Sequence, residues 1–354
     1  MKILLQLSLL TLILCKCSAD VKEPKWNVPS SSESVEYNEE ISDEMFNKMD
    51  ICKYGIPSKI NFIDHNHSIS ILKCGEYLAE IELRERRREF NEKCHNNVKK
   101  QSTIESTPEY SHMAAVGSEI KSGKFILQCA GALISPNFVL TAYTCYIHPN
   151  KNLTNVSANI VRLGTANIMN RYKPAVNIGI KRIIKHPKQN GIYNNLALVE
   201  LNNAVEFSKY IQPVCLSTVG LNFNRPITVT GWHFRNSKHI DKALVHTLQS
   251  GNMSMSKICS TNKMHSKSYF NRQMFCSENI NIHGIASCPS KSGGTVQMIL
   301  NVSKNEGSFY KLLAIMSRPS QNLPNLCESN KVNYIDIKPY IKWIERYVWP
   351  EHFK

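Results

Sequence analysis

From about residue 108 to the end of the chain, apolar residues come in short runs and never in long ones. Phe125 to Cys129, Ala132 to Ile134, Phe138 to Ala142, Ile178 to Ile184, Leu196 to Leu201, Ile227 to Trp232, Val296 to Leu300 and Phe309 to Met316 are rich in Val, Ile, Leu and aromatic residues. Gly, Pro and Asn punctuate the stretches between them. Runs this short fit strands better than helices, and turn residues between them let successive strands fold back on one another. The pattern predicts an all-β domain, sandwich or barrel, over residues 108–354. Only the tail departs from it. Ile337, Tyr340, Ile341, Ile344, Tyr347 and Val348 recur at spacings of three and four, which puts them on one face of a terminal helix.

Residues 20–107 have a different texture. Between 20 and 50 the chain is polar, Ser-rich and acidic (Glu33, Glu36, Glu39, Glu40, Asp43, Glu44), with too little apolar surface to offset the entropy of ordering, so a disordered or extended segment is expected. Residues 51–100 carry Cys52, Cys74 and Cys94 but little apolar bulk. Arg84 to Glu89 has mixed charge at helical spacing and reads as a solvated helix face. Arg84-x-Arg86-Arg87 also resembles a furin-type processing site. At the start, Met1-Lys2, the apolar run Ile3 to Leu14 and the small residues Cys17-Ser18-Ala19 have the layout of a secretory signal peptide over residues 1–19. The run is short for a bilayer span, and no later stretch is long and apolar enough to be one. The chain is expected to be secreted and extracellular.

That compartment changes the meaning of several residues. Of twelve cysteines, Cys15 and Cys17 leave with the leader, and the even number that remains predicts a disulfide framework. Asn66, Asn152, Asn155, Asn252 and Asn301 each open an N-glycosylation sequon. The net charge of +15 falls by two, to +13, once Lys2 and Lys16 are removed. A basic extracellular protein, with runs such as Arg84–Arg88 and Lys181–Lys188, favours acidic glycans, anionic surfaces or acidic proteins as partners. Nucleic acid is not expected, because no zinc-finger, helix-turn-helix or RNA-binding signature is present. Metal binding is not expected either. His65 and His67 are two apart in a polar loop, and residues 165–180 contain no carboxylate to hold calcium. No cofactor is implied.

Three segments carry the chemistry: Thr141-Ala142-Tyr143-Thr144-Cys145, Asn194-Asn195-Leu196-Ala197-Leu198 and Cys288-Pro289-Ser290-Lys291-Ser292-Gly293-Gly294. In order and spacing they resemble the T-A-A-H-C, N-D-I-A-L and C-x-G-D-S-G-G boxes of the chymotrypsin-like (S1) serine proteases. The context agrees. Glu109 to Gly117 resembles the opening of arthropod clip-domain proteases of the snake-like type, and Cys129 to Ser135 resembles their C-G-G-[ST]-L-I-S strand. His186-Pro187, Ile211-Gln212-Pro213-Val214-Cys215-Leu216 and Thr230-Gly231-Trp232 match further family segments. The resemblance covers about residues 108–350. It implies a chymotrypsin-like double six-stranded antiparallel β-barrel with a C-terminal helix, plus a small disulfide-tethered N-terminal segment that is at best a clip-domain remnant. It also implies the pairs Cys129–Cys145, Cys259–Cys276 and Cys288–Cys327. Cys74–Cys215 would be the tether, which leaves Cys52 with Cys94.

Position by position, the resemblance places Thr144 where the family has its general base His and Asn195 where it has the orienting Asp. Ser292 alone keeps the nucleophile's identity. A serine hydroxyl needs an adjacent imidazole to take its proton and a carboxylate to fix the imidazole tautomer. Threonine is no base near neutral pH, and loss of the base alone costs on the order of a million-fold in such enzymes. Ser290 stands at the Gly whose amide faces the oxyanion, and Lys291 at the Asp that would pair with a new N-terminal ammonium, where a second cation is repelled. Lys99-Lys100-Gln101-Ser102 lies where the activation sequence I-V-G-G is expected. In the specificity pocket, Ala286 replaces the Asp of trypsin-like members, and Ser317-Arg318-Pro319 replaces the S-W-G wall. The expectation is a catalytically inactive homolog. Its partners would be extracellular proteases, their zymogens or prophenoloxidase-like proteins, in cascades such as prophenoloxidase activation, clotting or Toll immunity. A venom or salivary antagonist of such a cascade, and a residual serine hydrolase using Ser292, are the alternatives.

Overall fold

The structure, a computed structural model, describes residues 68–94, 109–119, 125–147, 158–170, 174–190, 193–220, 226–232, 234–236, 246–253, 273–278, 280–282, 285–289, 292–303, 305–317 and 331–353. At residues 92–94, 146–147, 234–236, 276–278, 280–282, 285–289 and 331 the description is of the backbone alone. The chain divides into two units, residues 1–106 and 107–354. The expected leader over 1–19 and the polar segment over 20–50 lie outside the described residues.

In the first unit the described part is one helix, α1 (Ile69–Cys94). The sequence predicts a solvated helix face at Arg84–Glu89, and the helix there runs for 26 residues. Two kinds of interaction hold it: Tyr77, Leu78, Ala79, Ile81 and Leu83 are buried, and acids and bases pair along its surface. Glu80 binds Arg84 at 3.0 Å and Glu82 binds Arg86 at 2.8 Å, each with the acid one turn ahead of the base, and Lys73 binds Glu76 at 2.9 Å. Such pairs support a helix by about 0.2–0.5 kcal/mol each. They also correct the reading of Arg84–Arg88 as an open basic run, since Arg84 and Arg86 are largely covered and already paired.

The second unit begins with six strands: β1 (Met113–Glu119), β2 (Phe125–Ser135), β3 (Phe138–Thr141), β4 (Ile160–Leu163), β5 (Val176–Lys185) and β6 (Ala197–Leu201). They close into a barrel in the order β1-β2-β3-β6-β5-β4, every neighbour antiparallel. Leu133 faces Val139, and Val139 faces Val199, so the apolar runs of the sequence stack in register through the barrel. Closure leaves the six strands no free edge to pair with another chain. Between β3 and β4 lies a single helical turn, α2 (Thr144–Ile147).

The second barrel-like sheet contains β7 (Cys215–Leu216), β8 (Thr228–Gly231), β9 (Phe234–Asn236), β10 (Gln249–Asn252), β11 (Met274–Glu278), β12 (Ile280–Ile282), β13 (Ile285–Pro289), β14 (Thr295–Ser303), β15 (Gly307–Ser317) and β16 (Lys331–Asp336). Its order is β11-β16-β15-β14-β8-β10-β12-β13-β9, with β7 parallel to β15. That is ten strands among the described residues against the six expected, because strands of two to five residues add to the count. Ile227, Val229, Val296, Leu313, Ala314, Met316, Val332 and Tyr334 form its core. Direct bonds join the two sheets. Val214 N–H donates to Leu133 O at 2.8 Å, Ala130 N–H to Ser292 O at 3.0 Å, and Trp232 Nε1–H to Ala166 O at 2.8 Å.

After β16 come a 3₁₀ turn, Lys338–Tyr340, then α3 (Ile341–Val348) and a second 3₁₀ turn, Pro350–Phe353. Ile341, Ile344 and Val348 are buried, as the three-and-four spacing predicts, but Tyr347 is 41% exposed and lies off the buried face. Among the described residues no helix is long and apolar enough to cross a membrane.

Candidate functional site

Three loops meet where the two sheets join. The first leaves β3 and enters α2. Thr141 Oγ1 donates to Ala130 O at 2.6 Å, and a disulfide joins Cys145 to Cys129 of β2 with a Cα–Cα distance of 5.7 Å. Thr144 is thereby fixed at the start of α2, half-buried.

The second loop precedes β6. Asn194 has a φ of 49°, a left-handed conformation that Asn tolerates better than most residues. Its side chain is bonded at both ends: Nδ2 donates to Lys188 O at 2.8 Å, and Oδ1 accepts from Tyr340 Oη at 2.9 Å. This turn sends the next side chain inward, and Asn195 has 0% exposure. Asn195 Oδ1 accepts the Thr144 backbone N–H at 2.8 Å. Asn195 Nδ2 donates to Thr144 Oγ1 at 3.0 Å and to Ser317 Oγ at 2.8 Å. Both hydrogens of the amide are therefore in use, and its oxygen has an acceptor role as well. Ser317 closes β15 and is 1% exposed.

The third loop runs into β14. Ser292 is 9% exposed, and its carbonyl accepts from Ala130. Gly293 has a φ of 85°, and a Cβ there would lie 1.8 Å from Ala130 O. Its N–H donates to Met316 O at 2.9 Å. The Ser-Gly-Gly turn is thus clamped between β2 and β15, and only glycine fits its middle position.

The structure brings Thr144, Asn195 and Ser317 into direct contact and ties Ser292 to β2 through its main chain. None of these four side chains gains or loses a proton near neutral pH. As a set they can donate and accept hydrogen bonds. They cannot by themselves carry a proton from one reactant to another.

Several expected residues fall elsewhere. Ser290, Lys291, Arg318, the stretch Lys99–Ser102, His65 and His67 lie outside the described residues, as do Cys52, Cys259, Cys327, Asn66, Asn152 and Asn155. Ala286 is opposite Asn281 in the β12–β13 pair, and Cys276 is opposite Asn333 in the β11–β16 pair. Cys288 is opposite Arg235, and Cys94 ends α1. Cys74 and Cys215 are each disulfide-bonded. Asn252 is exposed at the end of β10, and Asn301 is half-buried in β14. Among the described residues no group of three or more His, Cys, Asp or Glu could hold a metal ion.

Two features escaped the sequence reading. One is the Tyr340–Asn194 bond, which joins a strained turn to a residue counted only as part of an apolar helix face. The other is His112, 2% exposed, whose Nε2 lies 2.7 Å from Gln297 Oε1. Thr295 Oγ1 donates to the same oxygen at 2.7 Å, and Gln297 Nε2 donates to Thr230 Oγ1 at 3.1 Å. Burial pushes the His112 imidazole down to about 4, against the weaker opposing effect of the Gln297 bond. His186, between Tyr340 and Trp343, is also lowered, first by burial and then by Lys188. No spacing in the sequence points to the His112 network, because its members are up to 185 residues apart.

Comparison with known proteins gives a consistent picture. The trypsin family model matches residues 102–344. Phenoloxidase-activating factor 3 of Holotrichia diomphalia is 29% identical over 204 residues, which cover 52% of this chain and 56% of that protein. Serine protease snk of Drosophila melanogaster is 33% identical over 162 residues, covering 42% of this chain and 36% of that protein. Trypsin-2 of Salmo salar is 31% identical over 170 residues, covering 48% of this chain and 68% of that protein. The chain therefore spans about half the length of the first of these relatives and about a third of the second.

Proposed function

The chain belongs to the trypsin family, and from that premise we propose that it works without catalysis, as a secreted homolog that binds and modulates members of an extracellular proteolytic cascade. The observation that carries this reading is the closed set of bonds around Asn195. At the positions where the family resemblance calls for a base and its orienter, a hydroxyl and an amide satisfy each other, and the second amide hydrogen goes to Ser317. A buried polar group that already has its partners gains little by exchanging them for a substrate. The site then serves as a joint between the two sheets. The serine at the nucleophile position is held by the same packing.

The names of the relatives give the reading its direction. One relative is by name a phenoloxidase-activating factor and another a serine protease, and a family member without proton-transfer groups can still present the family's surface to such partners. The partners we propose are extracellular serine proteases, their zymogens or prophenoloxidase-like proteins.

A fluorophosphonate probe tests the reading directly. The folded chain is expected to stay unlabelled under conditions that label trypsin fully, and to leave chromogenic peptide substrates intact. Stoichiometric labelling of Ser292 would overturn it and return the residual-hydrolase alternative.

A further inference from the structure

β14 has two neighbours at its start and one along the rest of its length. Thr295, Val296 and Gln297 pair with β8 on one side, and with β15 on the other. From Met298 to Ser303, among the described residues, only β15 pairs with it. Among the described residues this half of the strand is an edge. Ile299 is 52% exposed and Val302 57% exposed. The Val302 N–H donates to the side chain of its own neighbour, Asn301 Oδ1, at 2.8 Å rather than to another strand. An exposed apolar edge is a template for a strand from another molecule. The usual deterrents, charge and proline, are absent between Met298 and Ser303.

The last three residues of that edge are the sequon Asn301-Val302-Ser303. We propose that Asn301 carries an N-linked glycan whose role is to cover this edge. The sugar sheathes Ile299 and Val302 and keeps β14 from pairing with β14 of a second copy of the chain. Asn301 Oδ1 is occupied by the Val302 N–H, so Nδ2 is the end of the amide left for the sugar. The oligosaccharide comes from a lipid-linked pyrophosphate donor of the secretory route. A bond forms from Nδ2 to C1 of the first sugar, and the C1–O bond to phosphate breaks. One Nδ2 proton is lost, the lipid pyrophosphate leaves, and no electrons are exchanged. Asn252 offers a contrast. It too is exposed in a sequon, but strand partners flank it on both sides, Thr228 and Asn281, so a glycan there would have no edge to cover. The inference rests on secretion and not on the state of the catalytic positions, so probe labelling of Ser292 would leave it standing.

Mass spectrometry of the full chain secreted from eukaryotic cells tests the first half. The peptide Ser292–Lys304 is read before and after treatment with a peptide N-glycosidase in heavy-oxygen water. Occupancy at Asn301 is expected, and an unoccupied Asn301 overturns the proposal. Analytical ultracentrifugation tests the second half. Enzymatic trimming of the folded glycoprotein, and separately Asn301→Gln, are expected to shift the sedimenting species to dimers and larger. Adding Ile299→Thr and Val302→Thr to Asn301→Gln is expected to reverse the shift. Trimmed protein that sediments unchanged at the same concentration overturns the covering role, whatever becomes of the variants.

Discussion

Tyr340 donates its phenolic hydrogen to Asn194 Oδ1 at 2.9 Å, across 146 residues of chain. The bond ties the turn before the C-terminal helix to a left-handed residue one position ahead of Asn195. The geometry of the candidate site therefore depends on a residue well outside its three sequence boxes. Tyr340→Phe should remove this bond and cost about 1 kcal/mol, the usual net worth of a buried neutral hydrogen bond. Chemical denaturation reads the loss, and a variant as stable as the parent would show that the tie does no structural work.

Asn195→Ala should cost more. It leaves the Thr144 N–H and Ser317 Oγ without the partner they have in the interior, at about 1–3 kcal/mol for each unsatisfied group. Thr144→Val removes only one hydroxyl and should cost less than Asn195→Ala. Comparing the two midpoints of unfolding checks the order, and a reversed order would contradict the central role given to Asn195.

The double change Thr144→His with Asn195→Asp should not give a trypsin-like rate. Family resemblance puts Ser290 and Lys291 where an oxyanion glycine and an activating aspartate are needed, and both are untouched by the change. Hydrolysis of a chromogenic peptide is the measurement. A rate comparable to trypsin would refute this account of the oxyanion region.

His112 should make stability fall on mild acidification. Its folded value of about 4 lies below the ordinary imidazole value of 6.5, so the native state prefers it neutral. The contribution is complete above 6.5 and is lost progressively as pH falls from 6.5 towards 4. By pH 5 the loss from this one group is about 2 kcal/mol. His112→Asn should flatten the stability profile between pH 7 and 5 relative to the parent. Parallel profiles for the two proteins would mean that His112 does not titrate in this way.

Lys181 and Arg182 both bind Glu200, which mutes the basic run expected over Lys181–Lys188. Retention on heparin should still weaken sharply between 0.1 M and 1 M salt, as the Debye length shrinks from about 10 Å to about 3 Å. Glu200→Gln should elute later than the parent, because it releases two exposed cations. Earlier or unchanged elution would place the anion-binding surface elsewhere.

The strands were legible because burial writes itself locally. Phe138 to Ala142 and Leu196 to Leu201 are short apolar runs, and both line the closed barrel. The Cys129–Cys145 bridge and the positions of Thr144 and Asn195 could be read from motif resemblance. What the sequence did not carry was long-range polar pairing. Gln297, Tyr340 and Ser317 are ordinary residues in ordinary strands or turns, and their roles arise only when distant segments meet. Helix α1 was legible only at Arg84–Glu89, where its charges are spaced; its buried residues Tyr77, Leu78, Ala79, Ile81 and Leu83 are too few to show a helical period.

Gly293 bears on how a chain like this can change over time. Any side chain there would collide with the carbonyl of Ala130, so the turn that displays Ser292 has a mechanical reason to persist whether or not anything is ever hydrolysed. A Ser-Gly-Gly triplet is consequently a poor witness to catalysis. Packing against the Ala130 carbonyl is reason enough for it.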